Sequence, residues 1–294
     1  MKIAASVVFY NPTVEVKQNI STYANSVDLL IVVDNSPTPN QELLKGLQAH
    51  YKEKMILICN QANLGIATAL NQACDEAIKQ ECEWIVTMDQ DSAFVNFTHY
   101  KNCLLALKNS QNIALLAANT TRDAKSHLPQ NPTCDFEEKT VVITSANILN
   151  LQHFNAIGRF DDALFIDLVD YDYCAKARVA KLQILFFKDA LVEHNHGEVF
   201  KRKNFLTRKI KEKREHNPQR AYYIARNYLY MAKKYHALFP QEFGIFKIFN
   251  IVFIHDVTKI LLYEANKWQK IRAKGIALLH FLQGRVGKYN LVSI

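Results

Sequence analysis

Four apolar runs, at residues 3–9, 27–33, 55–59 and 84–88, alternate with helical patterns in the first ninety residues, and this alternation constrains the fold more than anything else in the chain. Strands alternating with helices form a doubly wound, mostly parallel sheet. A strand with no polar alternation is covered on both faces. Helices are expected over 13–23, 40–51 and 66–78, with Thr13 able to cap the first. Ligands of such sheets bind outside the carboxyl ends of the strands. The fourth run ends abruptly in Asp89-Gln90-Asp91. Two carboxylates at period two point the same way if strand geometry persists. They form a hard oxygen pair suited to Mg²⁺ or Mn²⁺ beside a phosphate. As an isolated pair they also fit a solvated turn.

Asp34 closes the second run, towards the same crevice as Asp89. A carboxylate there can accept a hydrogen bond from the N3–H of a uracil or thymine ring; it also fits an ordinary turn. Asn63-x-Gly65 precedes the third helix, whose first N–H groups are free to attract an anion. The same residues suit a tight loop. Further on, the pattern predicts a helix near 99–108, a strand at 113–117, a polar and mobile loop over 119–138, and a strand at 140–144. A short helix then follows residues 145–147, a longer one covers 168–181, and short strands cover 182–187 and 190–192.

The back of the chain is different in kind. Residues 199–294 hold 20 Lys/Arg against 5 Asp/Glu, a net +15, while residues 1–198 hold 16 against 23, a net −7. Asn217-Pro218 is a good helix start, for a helix reaching about 236. A second long helix is expected over 243–273. Lys247, His255, Asp256 and Lys259 interrupt its apolar face, so it does not span a bilayer. A basic, aromatic-rich segment with Tyr228, Tyr230, Phe246, Phe249, Phe253 and Trp268 suits an anionic membrane surface. Packing on the sheet domain, or in a homodimer, suits it equally. No recognition motif points to nucleic acid. The six cysteines form no C-x-x-C pair and no secretory signal opens the chain. Free thiols in a reducing cytoplasm are therefore expected, with the protein peripheral on the inner face of the membrane.

Read in order, Tyr10-Asn11-Pro12, Asp34-Asn35-Ser36, Asn63-Leu64-Gly65, Ala69-x-Asn71 and Asp89-Gln90-Asp91 resemble glycosyltransferase family 2, with its GT-A fold. The likeness continues through Ser145-Ala146-Asn147, Gly158-Arg159-Phe160-Asp161 and Leu164-Phe165-Ile166-Asp167-x-Val169-Asp170-Tyr171-Asp172. It runs on into His194-Asn195-His196-Gly197-Glu198 and Arg220-Ala221-Tyr222-Tyr223-x-x-Arg226-Asn227. These later blocks look like the bacterial rhamnosyltransferase branch.

The resemblance implies a GT-A catalytic domain over 1–215 and a helical extension over 216–294. It implies that Asp34 reads the base and that Tyr10, Asn63, Gly65, Asn71 and Asp89 join it around the nucleotide sugar. Arg220 and Arg226 would hold the diphosphate. Asp89 and Asp91 would hold Mg²⁺ or Mn²⁺, with His194 completing the site. Asp170 falls where the family carries its general base; Val169 precedes it in place of an acid, which leaves Asp167 as a rival. Ala146 stands where the family usually has glycine. The activity implied is inverting, metal-dependent transfer of a sugar, foremost L-rhamnose from dTDP-β-L-rhamnose, to a lipid-linked saccharide in surface polysaccharide synthesis. UDP-galactofuranose or a UDP-hexose are alternative donors. Readings of another class are a sugar nucleotidyltransferase, disfavoured by the lack of an early Gly-rich phosphate loop, and a non-catalytic membrane-surface binding protein.

Overall fold

The computed structural model describes residues 1–107, 111–121, 124–194, 199–203 and 210–291. By packing, the chain divides into two compact units, Met1–Asp161 with Val169–His196, and Asp162–Leu168 with Gly197–Ile294. The second unit thus takes in residues 162–168 and begins ahead of the long helices.

The first unit is an α/β sheet. Its strands are β1 (Ile3–Phe9), β2 (Leu29–Asp34), β3 (Met55–Cys59), β4 (Trp84–Asp89), β5 (Ser92–Phe94), β6 (Ile113–Thr121), β7 (Phe136–Glu138), β8 (Asn147–Asn150) and β9 (Gln183–His194). The order is β3-β2-β1-β4-β8-β6-β9-β5, with β7 paired to β9. β3, β2, β1 and β4 are mutually parallel. β8 runs against both its neighbours, so the sheet is mixed. β1 and β2 are buried along their whole length, as their uninterrupted apolar sequence requires.

The helices of this unit are α1 (Val16–Ser21), α2 (Gln41–Tyr51), α3 (Ile66–Lys79), α4 (Phe97–Ala106), α5 (Leu151–Ile157) and α6 (Val169–Val179). Asn40 caps α2 by accepting from the Leu43 N–H. Thr13 does not cap α1; its carbonyl takes the Val16 N–H instead. The strand expected at 140–144 does not form. Pairing falls to Asn147–Asn150, whose four side chains are all buried. The two short strands expected at 182–192 are one, β9. Within the stretch expected as a loop, residues 133 and 134 are anchored to the first unit. Cys134 is disulfide-bonded to Cys103 on α4, and Asp189 accepts from the Thr133 N–H and hydroxyl. The expectation of six free thiols is therefore corrected to four, at Cys59, Cys74, Cys82 and Cys174.

The second unit holds a hairpin of β10 (Val199–Lys203) and β11 (Ile210–Arg214), then α7 (Pro218–Tyr235), α8 (Pro240–Phe243), α9 (Ile245–Phe249), α10 (Asp256–Tyr263) and α11 (Lys267–Leu282). Asn217 caps α7 through the Arg220 N–H. The single helix expected over 243–273 is a π-helical stretch (Asn250–His255) between α9 and α10, then a break before α11. At the break, Glu264 pairs with Lys259 and Lys270, and Asn266 adopts a left-handed φ of 51°. Tyr222, Tyr223, Ala225, Ile248, Val252, Ala273 and Ala277 form the core of this unit. Among the described residues no helix is long and apolar enough to cross a membrane.

Candidate active site

Strand register explains why acids far apart in sequence share one edge. Phe9 pairs with Asp34, Asp34 with Cys59, and Val8 with Asp89. The carboxyl ends of β1, β2, β3 and β4 therefore finish level, and the loops after them build one rim. The rim is cross-linked by side chains. Gln90 accepts from the Tyr10 N–H (2.8 Å) and donates to the Tyr10 carbonyl (3.2 Å), tying the turn after β4 to the end of β1. The Asn11 N–H donates to Ser36 Oγ at 2.8 Å. The Tyr10 ring is left 48% exposed beside this edge, free to cover a flat ligand.

Asp34 is fully buried. Its Oδ1 accepts from the Ser36 N–H at 2.9 Å. Its Oδ2 is buried and accepts no hydrogen bond within the described residues. A buried acceptor left so costs about 1–3 kcal/mol, and a ligand N–H is the natural partner.

Asn35, which the sequence marked only as part of a motif, organises the next loop. Its Oδ1 accepts from Asn60 Nδ2 and the Leu64 N–H, both at 3.1 Å, and its Nδ2 donates to the Gly65 carbonyl at 3.1 Å and to Asn63 Oδ1 at 3.3 Å. Asn63 Oδ1 also takes the Gly65 N–H at 3.0 Å. Gly65 has φ 91°, a conformation that favours glycine, and leads into α3 with no side-chain cap. Asn71 is buried on α3. Its amide exchanges two 3.0 Å hydrogen bonds with the backbone of Phe160, so it fixes the 158–161 turn to α3.

Asp89, Asp91 and His194 come together, with one ligand atom from each lying within 4.8 Å of the others. His194 Nδ1 is 3.4 Å from Asp91 Oδ1 and 2.5 Å from Ser92 Oγ. Ser92 is fully buried and accepts from Ser145 Oγ at 2.8 Å, while Ser145 Oγ accepts from the Asp89 N–H at 3.3 Å. Two carboxylates and an imidazole held by a hydroxyl chain form a donor set that fits Mn²⁺ or Mg²⁺. Sequence reasoning missed Ser92; its place directly after the acid pair was the available signal. His194 ends the first unit's described residues, and the motif residues 195–198 lie outside them.

The 144–147 segment links this cluster to the next acid. Thr87 Oγ1 donates to the Thr144 carbonyl at 2.7 Å, and Ala146 is buried with φ 66°. That left-handed backbone is the physical reason a glycine suits this position. Thr144 and Asn147 line a narrow crevice with Asp170, Tyr173 and Cys174. Asp170 lies in the first turn of α6, where a carboxylate is favoured, and takes the Tyr171 N–H at 2.9 Å. Asp172 is buried and paired with Lys176 at 2.7 Å. Burial pushes the Cys174 thiol up to about 12, with Asp170 and Asp172 contributing.

In the second unit, Arg220 forms a two-pronged ion pair with Asp167, Nη2 to Oδ1 at 2.9 Å and Nε to Oδ1 at 3.0 Å. Arg226, expected on a diphosphate, is instead 1% exposed. Its Nη2 donates to the carbonyls of Ala163 and Leu164 at 3.1 and 3.0 Å, and its Nη1 to that of Gly287 at 2.5 Å. Asn227 Nδ2 holds the carbonyls of Leu164, Ile166 and Asp167 at 2.7–3.0 Å. These bonds hold a segment in which Phe165, Asp167 and Leu168 all have φ near 65°. Non-glycine residues pay about 1–3 kcal/mol each for such a backbone. Arg226 and Asn227 therefore stabilise the strained segment that runs directly into α6.

The Glycosyl transferase family 2 model matches residues 7–163. The dTDP-rhamnosyl transferase RfbF of Shigella flexneri is 27% identical, over 98% of both chains. Among solved structures, TarS 1–349 of S. aureus in complex with UDP-GlcNAc aligns with a TM-score of 0.60 at 16% identity, covering 97% of this chain and 82% of that one. GalNAc-T7 with UDP, GalNAc and Mn²⁺ aligns at 0.55 and 12% identity, covering 96% of this chain, which spans 58% of that one. These structural likenesses concern the fold, the GT-A arrangement of sheet and helices.

Proposed function

The chain belongs to glycosyl transferase family 2, and from that premise we propose that it is an inverting, metal-dependent enzyme that transfers L-rhamnose from dTDP-β-L-rhamnose to a saccharide acceptor. The observation that carries it is the unpartnered Oδ2 of buried Asp34, on the same rim as Asp89, Asp91 and His194. A thymine or uracil N3–H satisfies that oxygen, with Tyr10 over the base and the Asn63–Gly65 loop along the phosphates. Similarity to the Shigella flexneri dTDP-rhamnosyl transferase favours thymine and rhamnose. UDP-galactofuranose or a UDP-hexose are the alternative donors.

Asp89, Asp91 and His194 would hold Mn²⁺ or Mg²⁺, which supplies positive charge to the departing nucleotide diphosphate. Asp170 takes the proton from the acceptor hydroxyl as that oxygen attacks the anomeric carbon, and the bond to the diphosphate oxygen breaks from the opposite face. Asp170 is favoured over Asp167 as the base because the Arg220 guanidinium already engages both Asp167 oxygens. Ser92 and Ser145 orient His194, and Arg226 and Asn227 act as positioning residues for the segment ahead of α6.

The acceptor is read as a lipid-linked saccharide at an anionic membrane surface. In the second unit, Phe246 is 92% and Trp268 78% exposed within a segment of net charge +15, a combination that suits the interface of an anionic bilayer. A second copy of the chain is the alternative cover for these side chains. The test is transfer with dTDP-rhamnose and Mn²⁺, alongside UDP-sugars. Asp170→Asn abolishes turnover yet retains nucleotide binding; full activity in that variant removes Asp170 as base, and unchanged activity in EDTA removes the metal.

A further inference from the structure

A second charged concavity lies wholly within the helical unit. It has a volume of about 360 Å³ and is lined by Arg226, Tyr230, Lys233, Lys234, Phe281, Gly284, Arg285 and Val286. Four of the eight are cationic and none is acidic. Arg226 is the buried member of the lining, and its guanidinium is held by the carbonyls of Gly287, Ala163 and Leu164. Lys234 lies over the Tyr230 and Tyr235 rings at 5.6 and 5.3 Å. Lys233 and Arg285 have no carboxylate partner among the described residues.

The backbone delivers Arg285 to this place. Gly284, at φ 69°, ends α11; its N–H returns to the Phe281 carbonyl and that of Arg285 to the His280 carbonyl, at 3.0 and 2.8 Å. This Schellman arrangement satisfies two of the last carbonyls of α11, the negative end of its dipole. The neighbouring His280 senses the result: burial, then the Arg285 and Arg226 charges, hold its imidazole below the usual range. The walls are apolar as well as basic. Phe281 and Val286 line the pocket, and Leu282, 72% exposed, lies next in sequence to Phe281.

We propose that this pocket binds a phosphate group carried on an apolar chain, with Lys233 and Arg285 on the phosphate oxygens and Tyr230 and Phe281 against the chain. Lys233, Lys234 and Arg285 are exposed around the buried Arg226; cations of one sign gathered in a concavity favour an anion there, and apolar lining rewards a hydrocarbon attached to it. The assignment is independent of the nucleotide rim in the first unit. Its phosphate can belong to a soluble ester or to a lipid headgroup.

The probe is hexyl phosphate, titrated calorimetrically into the full chain with saturating nucleotide diphosphate present. Saturable binding is expected, weakened by about 10-fold or more in K233Q/R285Q, since a hydrogen bond to a charged group contributes about 1.5–3 kcal/mol. K45Q/K181Q, which removes the same charge from exposed positions of the first unit, leaves binding unchanged. Val286→Glu, on a half-exposed wall with every native cation kept, also weakens it. Inorganic phosphate binds more weakly than hexyl phosphate. Vesicles of phosphatidylcholine doped with phosphatidic acid identify a lipid source if the chain sediments with them and K233Q/R285Q does not. The proposal is overturned by absence of binding to both probes, by equal losses in the two double variants, or by equal affinity for inorganic and hexyl phosphate.

Discussion

Asp34→Asn replaces one buried carboxylate oxygen by an amide that donates where the proposed base also donates. Nucleotide affinity is expected to fall by about 10–100-fold, the loss of one hydrogen bond to a charged group, with little change in melting temperature; titration of dTDP and UDP checks it. Ser92→Ala removes the hydroxyl 2.5 Å from His194 Nδ1. Loss of an outer-shell partner typically lowers metal affinity by about 10–100-fold, measurable with Mn²⁺ by electron paramagnetic resonance without any turnover. The two residues differed in how legible they were. Asp34 announced itself as an acid closing an apolar strand. Ser92 follows the acid pair in sequence, but its partner became clear only when β5 paired with β9 and brought residue 92 opposite residue 194. Arg226 was half legible for a related reason: its sequence neighbourhood shows a basic helix, whereas its hydrogen bonds go to carbonyls more than sixty residues away.

Asn227→Ala strips three hydrogen bonds from the carbonyls of the strained 163–168 segment, and buried carbonyls left unpaired cost about 1–3 kcal/mol each. The expected outcome is a loss of about 2–4 kcal/mol in denaturant unfolding, with turnover falling more than nucleotide affinity. The disulfide between α4 and the 134 loop has a chemical signature. Native labelling should modify Cys59, the exposed free thiol; denatured unreduced chain should show four reactive thiols, and reduced chain six. Cys174 resists native labelling because burial both hides its thiol and keeps it protonated. At this scale the sequence was informative wherever local chemistry decided the outcome. Runs ending in acids marked β2 and β4, and Asn40 and Asn217 marked helix starts. It failed where partners decided. Thr140 to Thr144 is the better strand sequence, yet the ladder beside β4 was taken by Asn147–Asn150, and the 264–266 break rests on Glu264 meeting Lys259 and Lys270.

Positive charge is concentrated in residues 199–294, at a net +15 against −7 for residues 1–198. Binding to anionic vesicles should fall steeply with salt and fall again in a Phe246→Ser/Trp268→Ser chain; a concentration-dependent dimer lost in that chain, without vesicle binding, would assign the face to a second copy. His216 and His280 are both held below their ordinary value, first by burial. A depressed histidine is neutral in the folded state while the unfolded chain takes up the proton, so their contribution is complete above about 6.5 and declines as the pH falls below it. Unfolding midpoints measured from pH 8 to pH 5 should decline on the acid side, less so in His280→Gln.

The reversal of β8 has a consequence for how such an enzyme diversifies. In a wholly parallel sheet every rim loop is a departure from a strand. Here Asn147, where β8 begins, lies opposite Thr87 near the end of β4, so one arriving segment lies beside several departing ones. Departing loops contribute Asp34, Asn63 and Asp89; the arriving one contributes Ser145 and Ala146. Lineages that vary residues 124–143 therefore alter one flank of the cleft and keep Ser145 and Ala146, while the opposite flank is inherited intact.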